Sequence, residues 1–280
     1  MRREHVSIGG IPTAFLDAGA GEAVVALHGV PTSSALFEPL LPYLGDYRLL
    51  APDIIGQGDT KAPRSGPLGY AACKAHIDSF LAAVPPREFH LMVHDLGGVL
   101  GLEWAADHPE RVRSIVVLST SVTWSFRVGA ILAANLLFGR ELLHRALPRT
   151  LKSGLQLEPS LVDKWAMPWT RRRALRGMDL FASAHLARLR SKLHNISAPV
   201  SLVWGDDDDI FPVSCARRII ECLPQARLVT IPRCGHWAPL DAAEEVARHV
   251  TDFLRSTSAP GSASRSERFR ERGRDSRATS

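Results

Sequence analysis

Leu91-Met92-Val93-His94-Asp95-Leu96-Gly97-Gly98 decides how the chain is read. The apolar run Phe89 to Val93 predicts a buried strand. The spacing from Leu96 through Gly101, Leu102 and Trp104 to Ala106 predicts a helix that follows at once. Between them stands a single carboxylate, with glycines just beyond it. A strand that turns straight into a helix brings backbone against backbone, so the neighbouring residues must be small. The residue at the apex is pushed out at the carboxyl edge of a sheet. That residue is Asp95, where a serine or cysteine would be the commoner nucleophile.

Outward from this turn the pattern repeats. Val6 to Ile8 and Ile11 to Leu16 alternate around Gly9-Gly10, as a hairpin does. Ala23 to Leu27 predicts a strand ending in His28-Gly29-Val30-Pro31-Thr32-Ser33-Ser34, and helical spacing follows from Leu36 to Leu44. Arg48 to Ala51 predicts a strand ending in Pro52-Asp53-Ile54-Ile55-Gly56-Gln57-Gly58-Asp59. Tyr70 to Val84 reads as an amphipathic helix. Val112 to Leu118, Val200 to Trp204 and Arg227 to Ile231 are further strands, and Ala243 to Leu254 a last helix. Strands alternating with helices imply an α/β fold, with a mostly parallel twisted sheet flanked by helices.

Residues 123–194 break that rhythm: β-branched runs vanish, and Leu, Ala and Arg take over at helical spacing. An inserted helical cap is expected there, between core segments 1–122 and 195–255. From 256 to 280, Ser, Arg, Gly and Glu replace apolar residues, so a disordered basic tail is expected.

The 280 residues, 45% hydrophobic, can bury a large core. The net charge of +5 is concentrated in the cap and tail, which argues against a nucleic-acid partner. Cys73, Cys215, Cys222 and Cys234 form no C-x-x-C pair and have no metal-ligand spacing with histidine, so no metal is expected. The N-terminus leads directly into a strand pattern, and the most lipid-like stretch, Leu132 to Phe138, is too short to span a bilayer. No membrane span and a cytoplasmic location are therefore expected. The oligomeric state stays open.

A carboxylate on such a turn becomes a nucleophile if a base, a group orienting that base and donors for developing charge lie beside it. Cys234-Gly235-His236-Trp237 follows the last strand, Trp204-Gly205-Asp206-Asp207-Asp208-Asp209 leaves another, and His28-Gly29-Val30-Pro31 leaves a third. A parallel sheet brings all three segments to the edge where Asp95 emerges. The backbone N–H groups of Val30 and Leu96 are candidates for an oxyanion or leaving-group pocket. Asp95 alone reads as a helix cap, and His236 alone as a loop histidine. Their joint arrival after successive strands favours a catalytic set, and His28 and His94 are expected to be structural.

In order and context, residues 5 to 255 resemble the α/β-hydrolase family, whose nucleophile, acid and histidine follow in that order and whose cap is inserted where 123–194 lie. An aspartate at the nucleophile position is similar to haloalkane dehalogenases and epoxide hydrolases. Val93-His94-Asp95, Pro31-Thr32-Ser33-Ser34 and Ala51-Pro52-Asp53-Ile54-Ile55-Gly56-Gln57-Gly58 are closer to the dehalogenases. The family's Gly-x-x-Asp-x-x-x-Pro pattern fits Gly205, Asp208 and Pro212, which implies Asp208 as the acid. The earlier acid position falls in Ser119-Thr120-Ser121, which has no carboxylate.

The resemblance implies that Asp95 attacks a saturated carbon to form an alkyl-enzyme ester. His236, oriented by Asp208, then activates a water that hydrolyses it. Partners are a small organic substrate and water, with no cofactor. Dehalogenases hold the departing halide with a Trp after the nucleophile and an Asn after His-Gly, where this chain has Leu96 and Val30. Trp124, Trp165 or Trp169 of the cap are the candidates to replace them. Epoxide hydrolases protonate the opening oxygen with cap tyrosines. Tyr43, Tyr47 and Tyr70 all precede the cap, leaving His144 or His185 for that task. Three functions follow: a dehalogenase-like hydrolase, an epoxide hydrolase, or a small-molecule binding protein on a hydrolase scaffold with little turnover.

Overall fold

The computed structural model describes residues 1–63, 68–124, 129–130, 134, 140–166 and 179–258. Gly9 and Gly10 take φ of 56° and 79°, conformations that glycine adopts without strain, and so close the hairpin. There β1 (Arg2–Ile8) pairs antiparallel with β2 (Ile11–Ala18). The other strands are β3 (Glu22–Leu27), β4 (Tyr47–Pro52), β5 (Phe89–His94), β6 (Val112–Leu118), β7 (Val200–Gly205) and β8 (Arg227–Ile231). They form one sheet in the order β1-β2-β4-β3-β5-β6-β7-β8. From β4 to β8 every neighbour is parallel, and only the β1-β2-β4 edge is antiparallel. Because β5 is covered on both faces, all its residues are buried and the strand reads as one apolar run.

Among the described residues the α-helices are α1 (Tyr70–Ala83), α2 (Leu96–Asp107), α3 (Arg140–Ala146), α4 (Pro159–Ala166), α5 (Ser183–Lys192), α6 (Val213–Cys222), α7 (Ala238–Asp241) and α8 (Ala243–Ser258), with short 3-10 turns at Leu147–Thr150 and Leu193–Asn195. The expected α/β architecture is therefore present, with two local departures. Where the sequence shows helical spacing from Leu36, residues Ser34–Tyr43 wind as a 3-10 helix that contains Pro39 and Pro42, each of which withholds a backbone donor and crowds the preceding turn. The last helix runs on to Ser258, past the tail boundary expected at 256, and the Ser258 hydroxyl donates to Glu22 at 2.6 Å. The tail expected beyond it, 259–280, lies outside the described residues, as do Trp169, Arg171, Arg172, Arg173, Arg176 and nearly all of the stretch 132–138.

The insertion is helical where it is described, and α5 packs on α2. Its Arg188 Nε lies 3.0 Å from the buried Glu103, which also accepts the Tyr70 hydroxyl, and Lys192 pairs with Asp107 at 2.9 Å. Among the described residues no helix is long and apolar enough to cross a membrane.

The turn between β5 and α2 is pinned between two neighbouring strands. The Asp95 N–H donates to Ser119 O, just beyond β6, at 3.0 Å. On the other side, a Cβ at Gly97 would collide with the backbone carbonyl of Leu27, at the end of β3. Neither backbone can retreat without breaking the ladder between β3 and β5. Gly97→Ala is expected to lower the unfolding free energy by roughly 1–3 kcal/mol, read as a shift of the urea midpoint.

Candidate active site

Asp95 stands between β5 and α2 with φ 52° and ψ −120°, on the positive-φ side that residues other than glycine rarely occupy. Three contacts besides the Ser119 bond impose this backbone. Gly98 N–H donates to Asp95 O at 2.9 Å, the Thr120 hydroxyl donates to the same oxygen at 2.6 Å, and Gly29 lies so close that a Cβ there would fall on the carboxylate. Strain held in place by its surroundings is common at functional positions. Here it aims the carboxylate into the loop after β3. The Val30 N–H donates to Asp95 Oδ1 at 2.8 Å, and the Leu96 N–H is a second backbone donor to this carboxylate.

The loops after β7 and β8 bring the other two groups. His236 Nδ1 lies 3.2 Å from Asp208 Oδ2, and its Nε2 lies 3.8 Å from Asp95 Oδ2. Asp208 Oδ1 accepts the N–H groups of Ile210 and Phe211, both at 2.8 Å. Of the four consecutive aspartates, Asp208 alone is buried. Asp206, Asp207 and Asp209 are exposed, and Asp209 pairs with Lys152. The contact with Asp208 orients the ring, with Nδ1 toward Asp208 and Nε2 toward Asp95. The Phe211 ring packs on the imidazole, 5.5 Å between centroids.

Burial disfavours charge at all three groups, and their neighbours decide the outcome. Burial raises the Asp95 carboxyl above its ordinary range, although His236 and the Val30 and Leu96 amides oppose it. Burial also pushes Asp208 up, but His236 and the two backbone donors together overcome that and hold it below the usual carboxylate range. For His236, burial pushes down, and the Asp208 charge and hydrogen bond, helped by Asp95, lift it above the usual imidazole value.

His28 and His94 serve as struts, as expected. His28 Nδ1–H donates to Gly29 O at 2.8 Å and its Nε2 accepts from Ile54 N at 2.9 Å. His94 Nε2–H donates to His236 O at 3.0 Å. Burial pushes both rings below the ordinary imidazole value.

The fold thus brings Asp95, Asp208, His236, Val30 and Leu96 together. The cap candidates fare differently. Trp165 is buried, and its indole N–H is spent on Ser33 Oγ at 3.0 Å, which ties α4 to the loop after β3. Trp124 is 53% exposed. His144 pairs with Asp163 at 3.1 Å on an exposed face, whereas His185 stacks on Tyr70 at 4.2 Å and faces Asp179. Sequence reasoning missed Thr120, Phe211 and Ser33. Each stands in a segment it quoted or bordered, but backbone-directed bonds leave no spacing signal. A groove of about 420 Å³ lined by Glu22, His90 and Arg113 opens at the amino ends of β3 and β5, the sheet edge opposite Asp95.

Residues 22–243 match the model of a family described as alpha/beta hydrolase fold. Among curated proteins, a 2-hydroxy-6-oxo-2,4-heptadienoate hydrolase of Pseudomonas putida is 26% identical, the match covering 89% of this chain and 95% of the relative. A cis-3-alkyl-4-alkyloxetan-2-one decarboxylase of Shewanella oneidensis is also 26% identical, over 92% of this chain and 89% of that one. A solved ancestral haloalkane dehalogenase superposes with a TM-score of 0.76 at 20% identity, covering 91% of this chain and 99% of its own, which is a likeness of fold.

The raised Asp95 carboxyl has a thermodynamic consequence. A carboxylate whose folded-state affinity for protons exceeds its unfolded one destabilises the fold above its folded pKa, and the loss is recovered as pH falls through that value. Asp95→Asn is therefore expected to raise Tm at pH 7 by roughly 2–4 °C, about 1 kcal/mol in a chain of this size. The gain should disappear in acid, where both side chains are neutral. Thermal scans at several pH values check this.

Proposed function

The chain belongs to the alpha/beta-hydrolase family, and from that premise we propose a hydrolase in which Asp95 is the nucleophile, His236 the base and Asp208 the acid. The reaction is displacement at a saturated carbon of a small organic substrate, with carbon–halogen hydrolysis as the leading case. Residues 123–194 serve as the cap over a core formed by 1–122 and 195–255. The observation that carries this reading is the division of labour on the Asp95 carboxylate: Oδ1 is held by Val30 N–H while Oδ2 faces His236 Nε2.

A carboxylate is charged at neutral pH and attacks without first losing a proton, unlike a serine hydroxyl. In the first step an Asp95 oxygen bonds to the substrate carbon, and the carbon–halogen bond breaks with its electron pair leaving on the halide. In the second step His236 Nε2 takes a proton from water, and the hydroxide adds to the ester carbonyl carbon. The ester's carbonyl oxygen then carries the negative charge, which the Val30 and Leu96 amides stabilise. Collapse breaks the bond from the Asp95 carbonyl carbon to the ester oxygen, which began on Asp95 and now carries the alkyl group; the departing alkoxide takes the proton from His236 as the alcohol, and the oxygen of the water stays on the restored carboxylate. Asp208 keeps the imidazole in the required tautomer throughout.

A second reading is opening of a strained ring, an epoxide or an alkyloxetanone, by the same attack. Its support is Trp165, whose indole N–H is engaged by Ser33 and so is not offered to a halide, together with the oxetanone-acting relative of Shewanella oneidensis.

Intact mass spectrometry of His236→Ala, incubated separately with bromoalkanes, terminal epoxides and a four-membered lactone, separates these readings. The base-free enzyme should accumulate an ester mapped to Asp95, and Asp95→Asn should form none. An alkyl adduct from the bromoalkane establishes halide displacement, and an adduct from a ring substrate alone selects the second reading. Absence of any adduct, with saturable ligand binding, would overturn the enzyme in favour of a binding protein.

A further inference from the structure

Asp241, the last residue of α7, makes more hydrogen bonds than any role in chain termination requires. Its Oδ2 accepts Gly235 N–H at 2.9 Å, immediately before His236. Its Oδ1 accepts the N–H of Lys152 at 2.9 Å, the N–H of Ser153 at 3.0 Å and the Ser153 hydroxyl at 2.9 Å. One carboxylate therefore joins the His236 loop to the segment of the insertion between α3 and α4. Nearby, Trp237 Nε1–H donates to Thr150 Oγ1 at 2.7 Å. The two segments are in close contact: a Cβ on Gly235 would meet Lys152 Cγ at 2.9 Å and Thr150 O at 3.0 Å.

Three consecutive residues of the loop are thus fixed from three directions. Cys234 O accepts from Asp207 N at 2.9 Å, on the loop of the acid. His236 O accepts from His94 on the nucleophile's strand, and Gly235 N is held through Asp241 to the insertion. The 3.2 Å contact between His236 and Asp208 lies at the long end of hydrogen bonding, so slack in this loop would break it first.

The geometry points to Asp241 as a positioning residue: it holds the base against its acid and makes the cap and the His236 loop move as one body. This rests on the reading of His236 as the base. Asp241 itself touches no reacting atom and acts only through Gly235 and the cap.

The test reads the imidazole directly. Histidine-labelled wild type, Asp241→Asn, Asp241→Glu and Asp209→Asn are titrated by NMR, and the His236 ring is followed. Asp95, Asp208 and His94, the titratable groups in contact with that ring, are unchanged in every variant. Asp241→Asn, which cannot accept on both sides, is expected to move the His236 titration to lower pH. Asp241→Glu should recover part of it. Asp209→Asn, which removes an exposed carboxylate paired with Lys152 and away from the His236 ring, should match wild type. With a bromoalkane, Asp241→Asn should alkylate Asp95 at the wild-type rate and hydrolyse the ester up to about 100-fold more slowly, the scale of a misplaced catalytic group.

A folded Asp241→Asn whose His236 titrates as wild type overturns the proposal. Should that variant not fold, Ser153→Ala, which removes one of the bonds to Asp241 together with the Leu155 N–H contact to the same hydroxyl, must give a smaller shift in the same direction, and no shift overturns the proposal equally. Failure of the underlying reading looks different: His236→Ala forms no Asp95 adduct with any electrophile, whatever the titrations give.

Discussion

Two carboxylates and an imidazole share one dry corner at the carboxyl edge of the sheet, and the structure around them is arranged to tolerate that. Asp95, Asp208 and His236 are each almost wholly buried. Isolated charges there would be costly, so every ionised oxygen needs a donor. Asp208 meets the demand fully, with two backbone amides on one oxygen and the imidazole on the other. Asp95 meets it only in part, because its second oxygen faces a ring nitrogen beyond hydrogen-bond distance. The inequality separates the two aspartates: burial raises the carboxyl of the one with fewer donors, while its donors hold the other below the usual range, the difference that the proposed roles of the two require.

The same corner explains the backbone around it. Holding Asp95 in a conformation that favours glycine requires contacts from β3, β6 and α2 together, and each of those elements ends within the same small volume. The loop after β3 must approach closely enough for Val30 N–H to reach the carboxylate, which leaves no room for a side chain at position 29. Trp165 then seals that loop from above through Ser33, and the ion pair of Lys164 with Asp59 at 2.9 Å ties the same cap helix to the loop after β4. Packing of the cap and geometry of the site are thus one problem rather than two.

How much of this was legible in the sequence depends on what kind of force fixes each part. Strands buried on both faces announce themselves as apolar runs, so β3, β5, β6 and β7 and their mostly parallel sense could be read directly, whereas their order in the sheet could not. The site residues could be read because each follows such a run, and topology then places them at one edge. The 3-10 winding of Ser34–Tyr43 was obscured because apolar spacing marks a helical face without distinguishing its hydrogen-bond step. For Trp165 the sequence leaves open both packing of the insertion, which it favours, and service to a leaving group, because an indole carries no mark of which acceptor its N–H finds. Asp241 escaped notice for a related reason: its partners are mostly backbone amides from distant segments, and any sequence supplies amides.

The position of the two backbone donors also constrains where selectivity must reside. Val30 and Leu96 both address the carboxylate of Asp95 itself, so in the proposed reaction they serve the ester and its oxyanion in the second step. They contribute nothing to a group departing on the far side of the attacked carbon, since displacement sends it directly away from the incoming oxygen. The first step must therefore draw its stabilisation from the insertion, and the second from the core. A division of that kind lets one core serve different leaving groups through changes in the cap alone. It also requires that cap and base keep register between the two steps, and the hydrogen bonds of Asp241 lie on that junction.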